Sequence, residues 1–228
     1  MQEIVLRGLK KDYRSNEAYK TLRTNIEFSG EDNKAIVLTS CTPNEGKSTV
    51  SLALADSLAE AGKKVLFVDA DLRKSVLTGR HKVTGPIKGL SHFLAGQAKV
   101  SDIMYQTQEP GLVVMFAGVV PPNPAELLGQ YKFKSLIESA KKVYDYIIID
   151  APPLGSVIDS AIIAKQCDAS VLVIAANTIS YKFARAVKEQ LEKSDCPILG
   201  VVLNKVDMKQ NKYYGKYYGK YYGEYGKK

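Results

Sequence analysis

The sequence predicts an α/β fold: a mostly parallel central sheet with helices on both faces. Two observations point to it. Six apolar runs of strand length recur along the chain, and amphipathic stretches of helical period lie between them. The apolar runs are continuous rather than alternating, as strands buried on both faces require. At 228 residues, with 45% hydrophobic and 25% charged residues, the chain can bury such a core. Its composition excludes collagen, wholesale disorder and disulfide scaffolds.

The elements follow in order. A helix over about 16–27 precedes the first strand, Ala35 to Thr39. A helix from Ser48 to Ala61 is stopped by Gly62, and the second strand runs from Val65 to Val68. Further strands are predicted at Leu112 to Phe116, Tyr146 to Ile149, Val171 to Ala175 and Ile198 to Leu203. The helical patterns among them cover Phe133 to Val143, Val157 to Gln166 and Tyr181 to Lys193. Apolar runs such as Val171 to Ala176 stop at six residues, far short of the roughly 20 that a membrane helix needs. The N-terminal stretch does not read as a signal peptide. Three cysteines, Cys41, Cys167 and Cys196, lack metal-ligand spacing and suit reduced thiols in the cytoplasm.

Residues 1–207 form one domain in this reading, and 208–228 form a tail. The net charge is +8. Six lysines and one glutamate give the tail +5, which leaves +3 for the body. That distribution weakens any nucleic-acid reading, and none is expected. Between Lys212 and Gly226 a four-residue repeat carries seven of the 14 tyrosines: Tyr213, Tyr214, Tyr217, Tyr218, Tyr221, Tyr222 and Tyr225. Without aliphatic side chains, and with glycine at every fourth position, this segment is expected to be disordered.

Directly after the first strand comes CTPNEGKS, Cys41 to Ser48. Its glycine-lysine-serine ending is that of a P-loop, in which backbone N–H groups and a helix N-terminus hold phosphates. Lys47 meets the β and γ phosphates, and the Ser48 hydroxyl can ligate magnesium. The usual leading glycine is replaced by Cys41. Two further acidic motifs end strands, where open α/β sheets bind ligands. VDADLR supplies Asp69, Asp71 and Arg73, and IIIDAPP supplies Asp150. Three carboxylates beside a phosphate cradle suit a magnesium nucleotide. Asp71 or Asp69 would orient the attacking hydroxyl or take its proton, with Arg73 supporting the carboxylates or touching phosphate.

These residues resemble the bacterial tyrosine kinases of capsule and exopolysaccharide biosynthesis. The resemblance rests on the Walker A stretch SCTPNEGKST, the Walker A′ motif VDADLR, the Walker B motif IIIDAPP, the run PPNPAELL and the tyrosine-rich tail. Asn44 stands where the family commonly has glycine and Cys41 where a small residue is usual; a thiol there would narrow the loop or make it oxidation-sensitive. The resemblance implies a P-loop NTPase fold and an ATP- and Mg2+-dependent protein-tyrosine kinase. Nucleotide would be bound by Thr42, Pro43, Asn44, Glu45, Gly46, Lys47, Ser48 and Thr49, with Arg73 and Asn204. Ser48, Asp69, Asp71 and Asp150 would serve the metal. The tail tyrosines would be autophosphorylated in trans.

Glu17, Lys20 and Arg23 resemble the family's oligomerisation motif, with Lys20 in place of an arginine; they imply a homo-oligomer closed into a ring. A membrane adaptor of the polysaccharide co-polymerase type would activate the kinase at the inner face of the plasma membrane, and a cognate tyrosine phosphatase would reset it. Two other classes compete. Septum-placement and partition ATPases share the P-loop, but their signature lysine five residues before Lys47 is here Thr42. GTPases share the N-K-x-D pattern of Asn204 to Asp207, in which Asn204 alternatively lines the base pocket. His81 and His92 read as surface or packing residues.

Overall fold

The computed structural model describes residues 2–6, 13–83 and 86–207. The tail and its tyrosines lie outside the described residues, so the expectation of disorder made for them does too. The elements are β1 (Gln2–Glu3), α1 (Tyr13–Phe28), β2 (Ala35–Ser40), α2 (Lys47–Glu60), β3 (Val65–Asp69), α3 (Leu77–Arg80) and α4 (Leu90–Leu94). They continue with β4 (Tyr105–Gln106), β5 (Leu112–Met115), α5 (Pro124–Gly129), α6 (Tyr131–Ala140), β6 (Tyr146–Asp150), α7 (Asp159–Ala164), β7 (Ala169–Ala175), α8 (Tyr181–Glu192) and β8 (Ile198–Asn204).

Among the described residues one eight-stranded sheet takes the order β1-β4-β5-β3-β6-β2-β7-β8. Every pairing is parallel except β4 with β5. Alternate side chains feed two apolar layers. Leu66, Val68 and Ile149 point to one side with Phe133 and Ile137 of α6. Val65, Phe67 and Ile148 point to the other with Leu54 and Leu58 of α2. Burial on both sides explains why these strands carry unbroken apolar runs.

Helix α2 is buried from Val50 to Ala59, because the sheet lies on one side and α1 on the other. Small residues at Ala53, Ala55 and Ala59 permit that close approach, and Arg23 of α1 donates to the Ser57 carbonyl at 2.8 Å. Strand β8 differs from the sequence expectation. It is a sheet edge, with Val201 and Leu203 about half exposed, so its apolar run does not signify burial on both faces. Helix α7 is shorter than expected, since the Ser156 and Val157 amides turn back to the Pro153 carbonyl before it begins. The pair β1–β4 and the helices α3, α4 and α5, each of six residues or fewer, are too short to register as periodic patterns.

Candidate active site

The loop from Cys41 to Gly46 joins β2 to α2 and is held from within by its own side chains. Glu45 is buried. One of its carboxylate oxygens accepts from the Thr42 amide at 2.7 Å and the other from the Ala175 amide, at the end of β7, at 3.2 Å. Asn204, at the end of β8, donates from Nδ2 to the Glu45 carbonyl at 2.9 Å. Lys205 donates to the Asn44 carbonyl at 2.6 Å. Gly46 has φ 90°, and a Cβ there would lie 2.1 Å from Asn204 Nδ2; only glycine fits. Asn44 has φ 66°, which explains how it stands in a glycine position: asparagine is among the few residues that tolerate the left-handed region. Cys41 is buried, and burial with the Glu45 charge pushes its thiol up to about 12. That argues against oxidation sensitivity, because the thiolate is the reactive form.

Lys47 opens α2 with its ammonium turned into the sheet. Its Nζ donates to Asp150 Oδ1 at 2.7 Å and lies 3.3 Å from Ser48 Oγ. Ser51 Oγ stands 3.1 Å from the same Asp150 oxygen. Asp150 ends β6 and Asp69 ends the adjacent β3, in register with each other. Both are buried. Burial foremost, then the Asp150 charge, pushes the Asp69 carboxyl up to about 7, against a hydrogen bond from Ser75 and the pull of Lys47. Asp71, two residues beyond the strand, is the most exposed of the three; its Oδ1 accepts from the amides of Arg73 and Lys74 at 3.3 and 3.0 Å.

Arg73 turns to a residue the sequence reading did not single out. Its Nε and Nη2 donate to the two carboxylate oxygens of Asp159 at 2.8 and 2.9 Å. Asp159 lies 86 residues away in the chain, and an aspartate opening a helix reads as an ordinary N-terminal charge. Arg80 is a second addition, donating to Thr49 Oγ1 at 2.8 Å. His92 packs locally, its Nδ1 accepting from the Gly89 amide at 3.1 Å, and His81 is buried. On α1, Lys20 pairs with Glu17 at 2.8 Å.

Among the described residues no three His, Cys, Asp or Glu side chains are grouped to hold a metal ion unaided. The donor set nevertheless fits magnesium carried by a nucleotide. That ion takes oxygen ligands, usually one or two carboxylates together with phosphate oxygens, and Ser48 and the three aspartates offer only oxygen.

A glycine-bearing phosphate loop between the first central strand and its helix, with acids on neighbouring strand ends, defines a P-loop nucleotide-binding protein. The AAA domain model matches residues 33–194. Tyrosine-protein kinase CpsD of Streptococcus agalactiae is 48% identical over 205 residues, covering 90% of each protein. The kinase domain of Escherichia coli tyrosine kinase ETK superposes with a TM-score of 0.78 at 33% identity, over 84% of this chain and 77% of that one. The septum site-determining protein MinD from Pyrococcus horikoshii, complexed with Mg-ADP, matches with a TM-score of 0.64 at 30% identity, over 75% of this chain and 69% of its own. By sequence and fold together, the chain belongs to the bacterial tyrosine kinases, and it is a protein-tyrosine kinase. Among the described residues no helix is long and apolar enough to cross a membrane.

Proposed function

We propose that the chain transfers the γ-phosphoryl group of ATP to the tyrosines of its own C-terminal cluster, in trans between neighbouring subunits, and so regulates capsular or exopolysaccharide synthesis and export. One observation carries this reading: Lys47 and the three aspartates Asp69, Asp71 and Asp150 lie around the phosphate loop at the ends of β3 and β6, in a chain whose last segment holds seven tyrosines.

Lys47 exchanges Asp150 for the β and γ phosphates, and the amides from Asn44 to Thr49 cradle them. Ser48 and one or more of Asp69, Asp71 and Asp150 would hold magnesium, directly or through water. Bound there, the ion neutralises phosphate charge. Asp71 or Asp69 takes the proton as the tyrosine oxygen bonds to the γ-phosphorus; the bond to the bridging oxygen breaks and ADP keeps its electron pair. The greater exposure of Asp71 favours it as the group facing the acceptor. A phenol of unperturbed pKa about 10 gains from a carboxylate at that moment.

Glu17, Lys20 and Arg23 join subunits into a ring in this reading. Arg23 already serves α2, which leaves the Glu17–Lys20 pair as the motif's outward part. A membrane adaptor supplies activation at the inner face of the plasma membrane, and a tyrosine phosphatase reverses the modification. The test is intact-mass and peptide spectrometry after incubation with magnesium and ATP, beside a Lys47→Met control. Phosphates on the Tyr213 to Tyr225 segment of the wild type alone support the reading. An unmodified tail, with ATP turnover and an adaptor peptide present, overturns the tail as acceptor and points to tyrosines of other proteins as the substrates.

A further inference from the structure

The link between Arg73 and Asp159 is the best-defined polar contact around the site that the kinase reading does not use. Asp159 is fully buried, whereas the Arg73 side chain is 40% exposed. The pair is bidentate, the geometry that fixes a guanidinium in orientation as well as position. Such a pair gains little for stability, because burying the carboxylate offsets much of the attraction. Its stronger effect is geometric.

Two consequences follow for neighbouring groups. With Nε and Nη2 engaged, Nη1 faces away from Asp159 and has no hydrogen-bond partner among the described residues. The Arg73 and Lys74 amides both donate to Asp71 Oδ1, so anchoring Arg73 also anchors the loop that aims Asp71. The fork thereby ties the segment after β3 to the start of α7.

We propose that Asp159 is a positioning residue for phosphoryl transfer: it holds Arg73 so that the free guanidinium edge and Asp71 together address the phosphoryl group and the acceptor tyrosine. This inference rests on the kinase reading above. It acts on the transfer step and takes the place of the expectation that Arg73 binds nucleotide: with Arg73 held by Asp159, nucleotide affinity would rest on the phosphate loop.

The test uses the full chain as wild type, Asp159→Asn, Asp159→Glu, Arg73→Lys and the double variant Asp159→Asn/Arg73→Lys. Phosphotyrosine formation at saturating ATP, KM for ATP and melting temperature are measured for each. Misplacing a reacting group by about 1 Å costs up to about a hundredfold in rate. Asp159→Asn and Arg73→Lys are each expected to slow transfer by roughly ten- to a hundredfold, with KM for ATP within about twofold of wild type. The double variant should be no slower than the slower single, since both break one link. Asp159→Glu, which keeps the charge, should regain part of the rate. A wild-type rate in Asp159→Asn, or losses that multiply in the double variant, overturns the inference while leaving the kinase reading intact. If Asp159→Asn does not fold, Arg73→Lys decides: it keeps the charge and loses the fork, and a wild-type rate overturns the inference. A wild-type chain that forms no phosphotyrosine removes the proposed autophosphorylation and this inference with it.

Discussion

Asp69 and Asp150 stand opposite one another in register at the ends of adjacent parallel strands, and Lys47 hydrogen-bonds to Asp150 alone of the two. Two buried carboxylates with one close cation cannot both be comfortably ionised, and the strain falls on Asp69, whose carboxyl is pushed up to about 7.

The nucleotide-free protein should therefore lose stability as pH rises through the interval between the unfolded value of 3.8 and about 7. Over that range the folded state retains a proton that the unfolded state has released; below it both are protonated, and above it the full cost is present. Asp69→Asn removes the ionisable group. It should raise the melting temperature at pH 8 by about 3–6 °C, for a gain of about 1–2 kcal/mol, and by less at pH 5. Thermal melts at the two pH values check this. An equal gain at both would separate the effect from ionisation.

Lys47 has a structural effect opposite to that of Asp69. With both partners of the Lys47–Asp150 pair buried, Lys47→Met leaves an uncompensated charge inside and should cost about 3–5 kcal/mol of apo stability. Adding Asp150→Asn should recover more than half of that loss, although neither variant phosphorylates. Urea unfolding of the two singles and the double gives the coupling energy, and strictly additive losses would contradict it.

The loop makes a sharper demand on backbone than on charge. Gly46→Ala collides with Asn204 at a positive φ and should abolish the rise in melting temperature expected of the wild type with magnesium-ATP. Asn44→Gly keeps the left-handed option and should retain that rise, whereas Asn44→Val should lose most of it, since a β-branched residue at φ 66° is a conformational outlier. Differential scanning fluorimetry with and without nucleotide separates the three.

Where the sequence was legible, a local rule was at work. Lys47, Asp69 and Asp150 could be placed because a strand end and the phosphate loop beside it are short-range patterns, and the continuous runs of β2, β3 and β6 announce strands covered on both faces. What escaped was set by distant packing. Nothing local marks Asp159 as the partner of Arg73, 86 residues earlier. The inward turn of Glu45 depends on the Ala175 amide, 130 residues away, and the exposure of β8 depends on its being last in the sheet. Asn44 lay between these cases: its departure from glycine was plain, but only its φ explains why it is tolerated.

The hold of Asn204 and Lys205 on the phosphate loop fixes where the tyrosine segment is tethered. Tyr213 lies nine residues after Asn204 and Tyr225 twenty-one. Since an extended chain spans at most about 3.5 Å per residue, the intervening sequence limits Tyr213 to about 30 Å from Asn204 and Tyr225 to about 75 Å. On the function proposed above, donor and acceptors would share this anchor point, so that chain length alone would set a longer reach for each successive tyrosine.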